Sequence, residues 1–97
     1  MDQRPRSPRV PVEFALVVEG TDLTGAPFQA KGTAVKISHA GATIIIDVDV
    51  PVGTQVTLVQ SSGAKLAAEV NGSWIDDLDG KRRIGVRLLD ANGWFGS

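Results

Sequence analysis

The chain has 97 residues, of which 42% are hydrophobic and 22% charged, with a formal net charge of −1. That length supports one domain around a single modest core, and the near-neutral balance argues against a general binder of nucleic acid polymers. Cysteine is absent and His39 is the one histidine, which excludes disulfides and thiolate chemistry and leaves no basis for a histidine metal site.

The charge is unevenly spread. Residues 1–9 hold Arg4, Arg6 and Arg9 against a single aspartate, Asp2. Pro5, Pro8 and Pro11 stiffen this segment toward an extended shape. We expect a flexible arginine-rich arm over 1–9, whose guanidiniums suit one small anion better than a polymer. The same composition also fits a solvated basic tail. No long apolar stretch follows these cations, so the segment is not a secretory signal. The longest apolar run, 14–18, is far too short to cross a membrane. We therefore expect a cytoplasmic protein without membrane insertion.

From Val10 the pattern has period two. Val10, Val12, Phe14, Leu16 and Val18 form an apolar face, which predicts a first strand over 10–19. Asp22, Gly25 and Pro27 mark a loop over 20–27. A second strand is expected over 28–37 and a third, rich in β-branched residues, over 42–48. Between them, Ser38, His39, Ala40 and Gly41 make a small-residue turn. It offers a hydroxyl and a backbone that a ligand can approach closely, or simply a connection in which glycine supplies a positive φ.

Turn residues at 51–53 precede a fourth strand over 54–60, and those at 61–63 precede a fifth over 65–75 with a bend or bulge at Asn71 and Gly72. Asp76, Asp77 and Asp79 stand in a hairpin connection ending at Gly80. Their spacing is not that of a calcium loop. The sixth strand, 81–89, puts Ile84, Val86 and Leu88 on one face and Arg83, Gly85 and Arg87 on the other. Six short strands without a sustained helical stripe predict an all-β, six-stranded antiparallel barrel over 10–90, closure removing edges that so small a protein cannot cover. A C-terminal tail over 91–97 is expected to have little or no helix. Its Trp94 and Phe95 are expected to plug a barrel end or to form a docking patch.

Taken together, Arg9-Val10-Pro11-Val12, Ser38-x-x-Gly41-Ala42, Pro51-x-Gly53-Thr54 and Gly85-Val86-Arg87-Leu88-Leu89-Asp90 resemble a PilZ domain, in order and over residues 4–90. The resemblance implies a six-stranded barrel, bacterial second-messenger signalling and binding of cyclic di-GMP; since no acid–base pair or nucleophile emerges, no enzymatic activity and no cofactor are expected. It implies that Arg9 is the second arginine of an Arg-x-x-x-Arg motif. The first falls on Pro5, flanked by Arg4 and Arg6. Ser38 and Gly41 match the Asp/Asn-x-Ser-x-x-Gly motif, and Lys36 stands at its acidic or amide position. The implied ligand site is thus Arg4, Arg6, Arg9, Lys36, Ser38 and Gly41, with an unknown protein partner receiving the signal. Alternatively, the departures at Pro5 and Lys36 imply a degenerate adaptor that binds protein and not nucleotide. A barrel for single-stranded nucleic acid has less support, since tyrosine is absent and only five aromatic residues are present.

Overall fold

The computed structural model describes residues 10–21, 24–89 and 94. The strands are β1 (Val10–Thr21), β2 (Pro27–Ser38), β3 (Gly41–Ile46), β4 (Gln55–Gln60), β5 (Lys65–Ile75) and β6 (Arg82–Leu88). All pair antiparallel in a closed barrel of order β1-β2-β3-β6-β5-β4. Closure is made where Leu16 to Glu19 of β1 face Gln60 to Thr57 of β4. The expected fold class is therefore present. β1 runs past the expected end into Gly20 and Thr21, because both keep a partner on β2, Phe28 and Pro27. β3 ends two residues early, at Ile46, and Asp47 and Val48 bend away.

Alternation fills the interior. Leu16 and Val18, Ala34, Ala42, Ile44 and Ile46, Val56 and Leu58, Leu66, Ala68 and Val70, and Ile84, Val86 and Leu88 are buried from successive strands. Val50 joins them from the β3–β4 connection, which is tied down by Gly53 N–H donating to the Val70 carbonyl at 2.7 Å and Val70 N–H donating to the Thr54 carbonyl at 2.9 Å. Each fully buried valine, leucine or isoleucine removes enough apolar surface from water to contribute about 1.5–3 kcal/mol.

Three register shifts interrupt the ladders. The one between Val70 and Gly72 matches the bulge expected at Asn71 and Gly72. That between Pro11 and Phe14 on β1 begins at a proline, a residue a ladder accepts at a bulge; that between Ala34 and Lys36 on β2 has no glycine or proline within it. Such bulges bend and twist strands, which lets a small sheet curl onto itself.

β3 and β6 are joined across 35 intervening residues of chain (47–81), and their seam is tight. Gly41 faces Arg87, and a Cβ on Gly41 would stand 2.4 Å from the Val86 carbonyl oxygen. The backbone at Gly41 has no positive φ. The glycine is therefore required by proximity and not by a left-handed turn. The ladder continues one step beyond it, Leu88 N–H donating to the Ala40 carbonyl at 2.8 Å.

The β5–β6 hairpin is held by its own acids. Arg83 grips Asp79 with two parallel bonds, Nη1 to Oδ1 and Nη2 to Oδ2, both 2.9 Å. Asp76 lies 3.6 Å from the same guanidinium and accepts the Leu78 N–H. Gly80 takes the positive φ, 69°, that the Asp-Gly pair anticipated. The acidic residues thus serve as turn acceptors and partners of Arg83. Among the described residues no group of acids or histidine is arranged to hold a metal.

Two outcomes follow from this geometry. Gly41→Ala should force β3 away from β6 and lower stability by about 2–3 kcal/mol, read in thermal unfolding as a fall of roughly 10–20 °C. A melting temperature within a few degrees of wild type would show that the seam can yield. The second concerns Asp79, whose carboxyl is held well below its ordinary range, first by the Arg83 hydrogen bond and then by the Lys81 N–H. A lowered folded value means that its stabilising contribution is complete above the unfolded pKa, about 3.9, and is lost as pH falls below it. The stability gap between wild type and Asp79→Asn, measured by urea unfolding, should be constant above about pH 5 and shrink below about pH 4. A gap that persists unchanged at low pH would contradict this.

Candidate functional site

The outward-facing residues of β2, β3 and β6 follow from the core. Ala42, Ile44 and Ile46 point in, so Gly41, Thr43 and Ile45 belong to the outer face of β3, and directly opposed residues share that face. Ser38 faces Gly41, which faces Arg87, which faces Glu69 of β5. One step along, Pro11 faces Lys36, Lys36 faces Thr43, Thr43 faces Gly85, and Gly85 faces Gly72. With strands about 4.8 Å apart, Ser38 and Arg87 are separated by roughly 10 Å of backbone.

Three of the six expected site residues are thus gathered on one patch. Lys36 is exposed, Ser38 half-buried and Gly41 buried. The other three, Arg4, Arg6 and Arg9, lie outside the described residues. What is described is where β1 begins, with Val10 opposite Ile37 and Pro11 opposite Lys36. The residue before Val10 in sequence is Arg9. β1 therefore starts directly beside the turn that carries Ser38.

The turn is braced from behind by Trp94. Its indole Nε1–H donates to the Gly41 carbonyl at 3.1 Å. Its ring meets Phe14 edge to face, with centroids 6.0 Å apart and planes at 88°, a favoured arrangement for aromatic quadrupoles. Trp94 is half-buried against the core cluster, which agrees with a plugging role for that residue. Phe95 lies outside the described residues. His39 and Ala40 are exposed at the tip of the turn.

One charged group on this face went unassigned from sequence. Arg87, opposite Gly41, pairs with Glu69 at 2.5 Å (Nη2 to Oε1). The alternation of β6 put Arg87 on the outer side, but its nearness to Ser38 depends on a β3–β6 pairing between strands that are not consecutive. Among the described residues, surface grooves lie elsewhere. One of about 400 Å³ is lined by residues including Glu19, Thr21 and Gln55, one of about 270 Å³ by residues including Val17, Lys31 and Val59, and one of about 460 Å³ by residues including Ile45, Ile75 and Arg82. None of them includes Lys36, Ser38 or Gly41.

No protein-family model and no curated protein matches the chain. Among solved structures it is similar to the PilZ domain of YcgR from Escherichia coli, determined with c-di-GMP. The TM-score is 0.57 at 15% identity, covering 91% of this chain and 79% of that one. The chain therefore has the fold of a PilZ domain, a closed six-stranded antiparallel barrel with essentially no helix among the described residues.

Proposed function

We propose that the chain is a non-enzymatic sensor module for cyclic di-GMP, working in the bacterial cytoplasm. The ligand rests on the outer face beside Ser38 and Gly41, and Arg9, with Arg6 or Arg4, closes over it. The observation that carries this reading is the register of β1 on β2. Pro11 opposite Lys36 and Val10 opposite Ile37 start the strand next to the Ser38 turn, so an arm attached at Val10 is within reach of an anion held there. The solved domain with the same fold carries c-di-GMP, which supports the ligand class.

The chemistry suits a cyclic dinucleotide. Guanidiniums pair with phosphate through two parallel bonds and also stack on purine faces. The Ser38 hydroxyl donates to or accepts from the ligand, while Gly41, buried against the Val86 carbonyl, fixes the turn that presents it. Lys36 is an ammonium with no acceptor capacity. It repels a neighbouring guanidinium until an anion lies between them, so binding and arm closure are coupled. Ordering of the arm is then the signal read by a protein partner.

A second reading is favoured by one observation, that the exposed residue facing Thr43 is Lys36 and not a carboxylate or amide. On this reading the barrel is an adaptor that has lost the nucleotide and acts through protein contacts.

Calorimetric titration separates the two. Cyclic di-GMP should bind wild type, more weakly as salt rises, and Arg9→Ala should abolish the heat. No heat and no rise in melting temperature with wild type at high ligand would reject the sensor. In that event the paired change Pro5→Arg with Lys36→Asp should create binding, as expected of a degenerate adaptor.

A further inference from the structure

The outer face of β5 and β6 bears a cluster that the function above does not use. After the bulge, Gly72 of β5 faces Gly85 of β6, and Trp74 faces Arg83. Two opposed glycines leave a patch of sheet with no side chains. The six-membered ring of Trp74 is seated on it. Trp74 Cζ3 lies 3.2 Å from where a Gly72 Cβ would be and 3.6 Å from where a Gly85 Cβ would be. Asn71, in the bulge, brings Oδ1 to 3.0 Å from the same point on Gly85. Yet Trp74 remains 41% exposed. Its position is fixed by the glycine floor while part of its ring stays open to solvent.

The next outward pair along the same two strands is Glu69 and Arg87. It adjoins the glycine floor on one side and Gly41 on the other. A fixed aromatic ring and an amide over the glycine floor thus adjoin a carboxylate and a guanidinium that lie in one row with Ser38. This set has a chemical preference. Guanine presents N1–H and N2–H side by side and needs an acceptor with two oxygens, and Lys36 supplies none. A carboxylate has about four acceptor positions, so Glu69 bound to Arg87 still has room for both donors. An exposed indole stacks on any base, and a guanidinium holds the phosphate beside it.

We propose that Trp74, Glu69 and Arg87 form a guanine subsite displaced toward β5 and β6: Trp74 stacks on the base, Glu69 accepts from its N1–H and N2–H, and Arg87 takes the adjacent phosphate. The inference rests on the cyclic di-GMP reading above and deepens it. It places base selection on β5 and leaves the Ser38 turn and the arm to hold the opposite part of the ligand. Without such a role, Trp74 only fills the space over two glycines and Glu69 only neutralises Arg87.

The test titrates wild type, Trp74→Ala and Glu69→Gln with cyclic di-GMP and with its adenine analogue, cyclic di-AMP. Trp74→Ala should weaken cyclic di-GMP binding about tenfold or more, with Trp74→Phe restoring most of it. Glu69→Gln should narrow the preference for the guanine ligand over the adenine one, an effect that loss of stability alone does not produce. Wild-type affinity in Trp74→Ala, or wild-type preference in Glu69→Gln, overturns the subsite while leaving the sensor reading intact. Absence of binding by wild type overturns both. If Trp74→Ala does not fold, the preference measured in Glu69→Gln decides.

Discussion

The close approach of Gly41 to the Val86 carbonyl is the constraint on which the rest of the structure depends. β3 and β6 are distant in sequence, and their pairing, together with that of β1 and β4, converts two antiparallel ribbons into one closed sheet. A side chain at Gly41 would collide with the backbone of β6, so the seam exists only because that residue has none. Once it forms, Ala42 and Ile44 face Val86 and Ile84 inside the barrel, all fully buried. The same pairing leaves Ser38, Gly41, Arg87 and Glu69 in one outward row. Core and candidate site are two sides of one register.

This dual use changes what a motif glycine means. Ser38-x-x-Gly41 reads as a ligand signature or as a turn, readings that ascribe the glycine to close approach of a ligand or to local conformation. The structure gives it a third cause, a non-local contact, while its carbonyl satisfies the Trp94 indole N–H, as the carbonyl of another residue there could. A sequence can therefore keep this glycine for the fold alone, whether or not it keeps the nucleotide. Ser38 is under no comparable packing demand, being half-buried beside an exposed turn. Of the two motif positions, serine is the more informative about ligand and glycine about architecture.

The strands were legible because their cause is local. Alternation in β1, β4 and β6 and the Asp-Gly turn at Asp79 and Gly80 act within a few residues, and the structure has them there. The Asn71 bulge was legible for the same reason, its Asn-Gly pair being a local breaker. The shift on β1 starts at Pro11, whose place in a ladder is an edge or a bulge; the one at Val35 was not legible, since valine in a strand announces nothing. Arg87 shows the same limit at the site. Its outward direction was readable from period two, but its neighbours Gly41 and Glu69 are supplied by pairings that no short window contains. The arm arginines, Arg4, Arg6 and Arg9, were read from composition and from the family motif, and they lie outside the described residues.

Electrostatics ties the two halves of the outer face together. Arg87 is neutralised by Glu69, and Arg83 by Asp79 and Asp76, so the cations of β6 each have an acid beside them in the unliganded barrel. No ion pair of Lys36 with an acid is found among the described residues. On the proposed function, a phosphate near the Ser38 turn meets the Lys36 ammonium and a guanidinium whose carboxylate partner must be shared. Exposed pairs of this kind are worth little in water, so sharing Glu69 between Arg87 and a base edge costs little. On the proposed reading, Lys36 offers no acceptor on β2, and Glu69 of β5 is the carboxylate available to the same face.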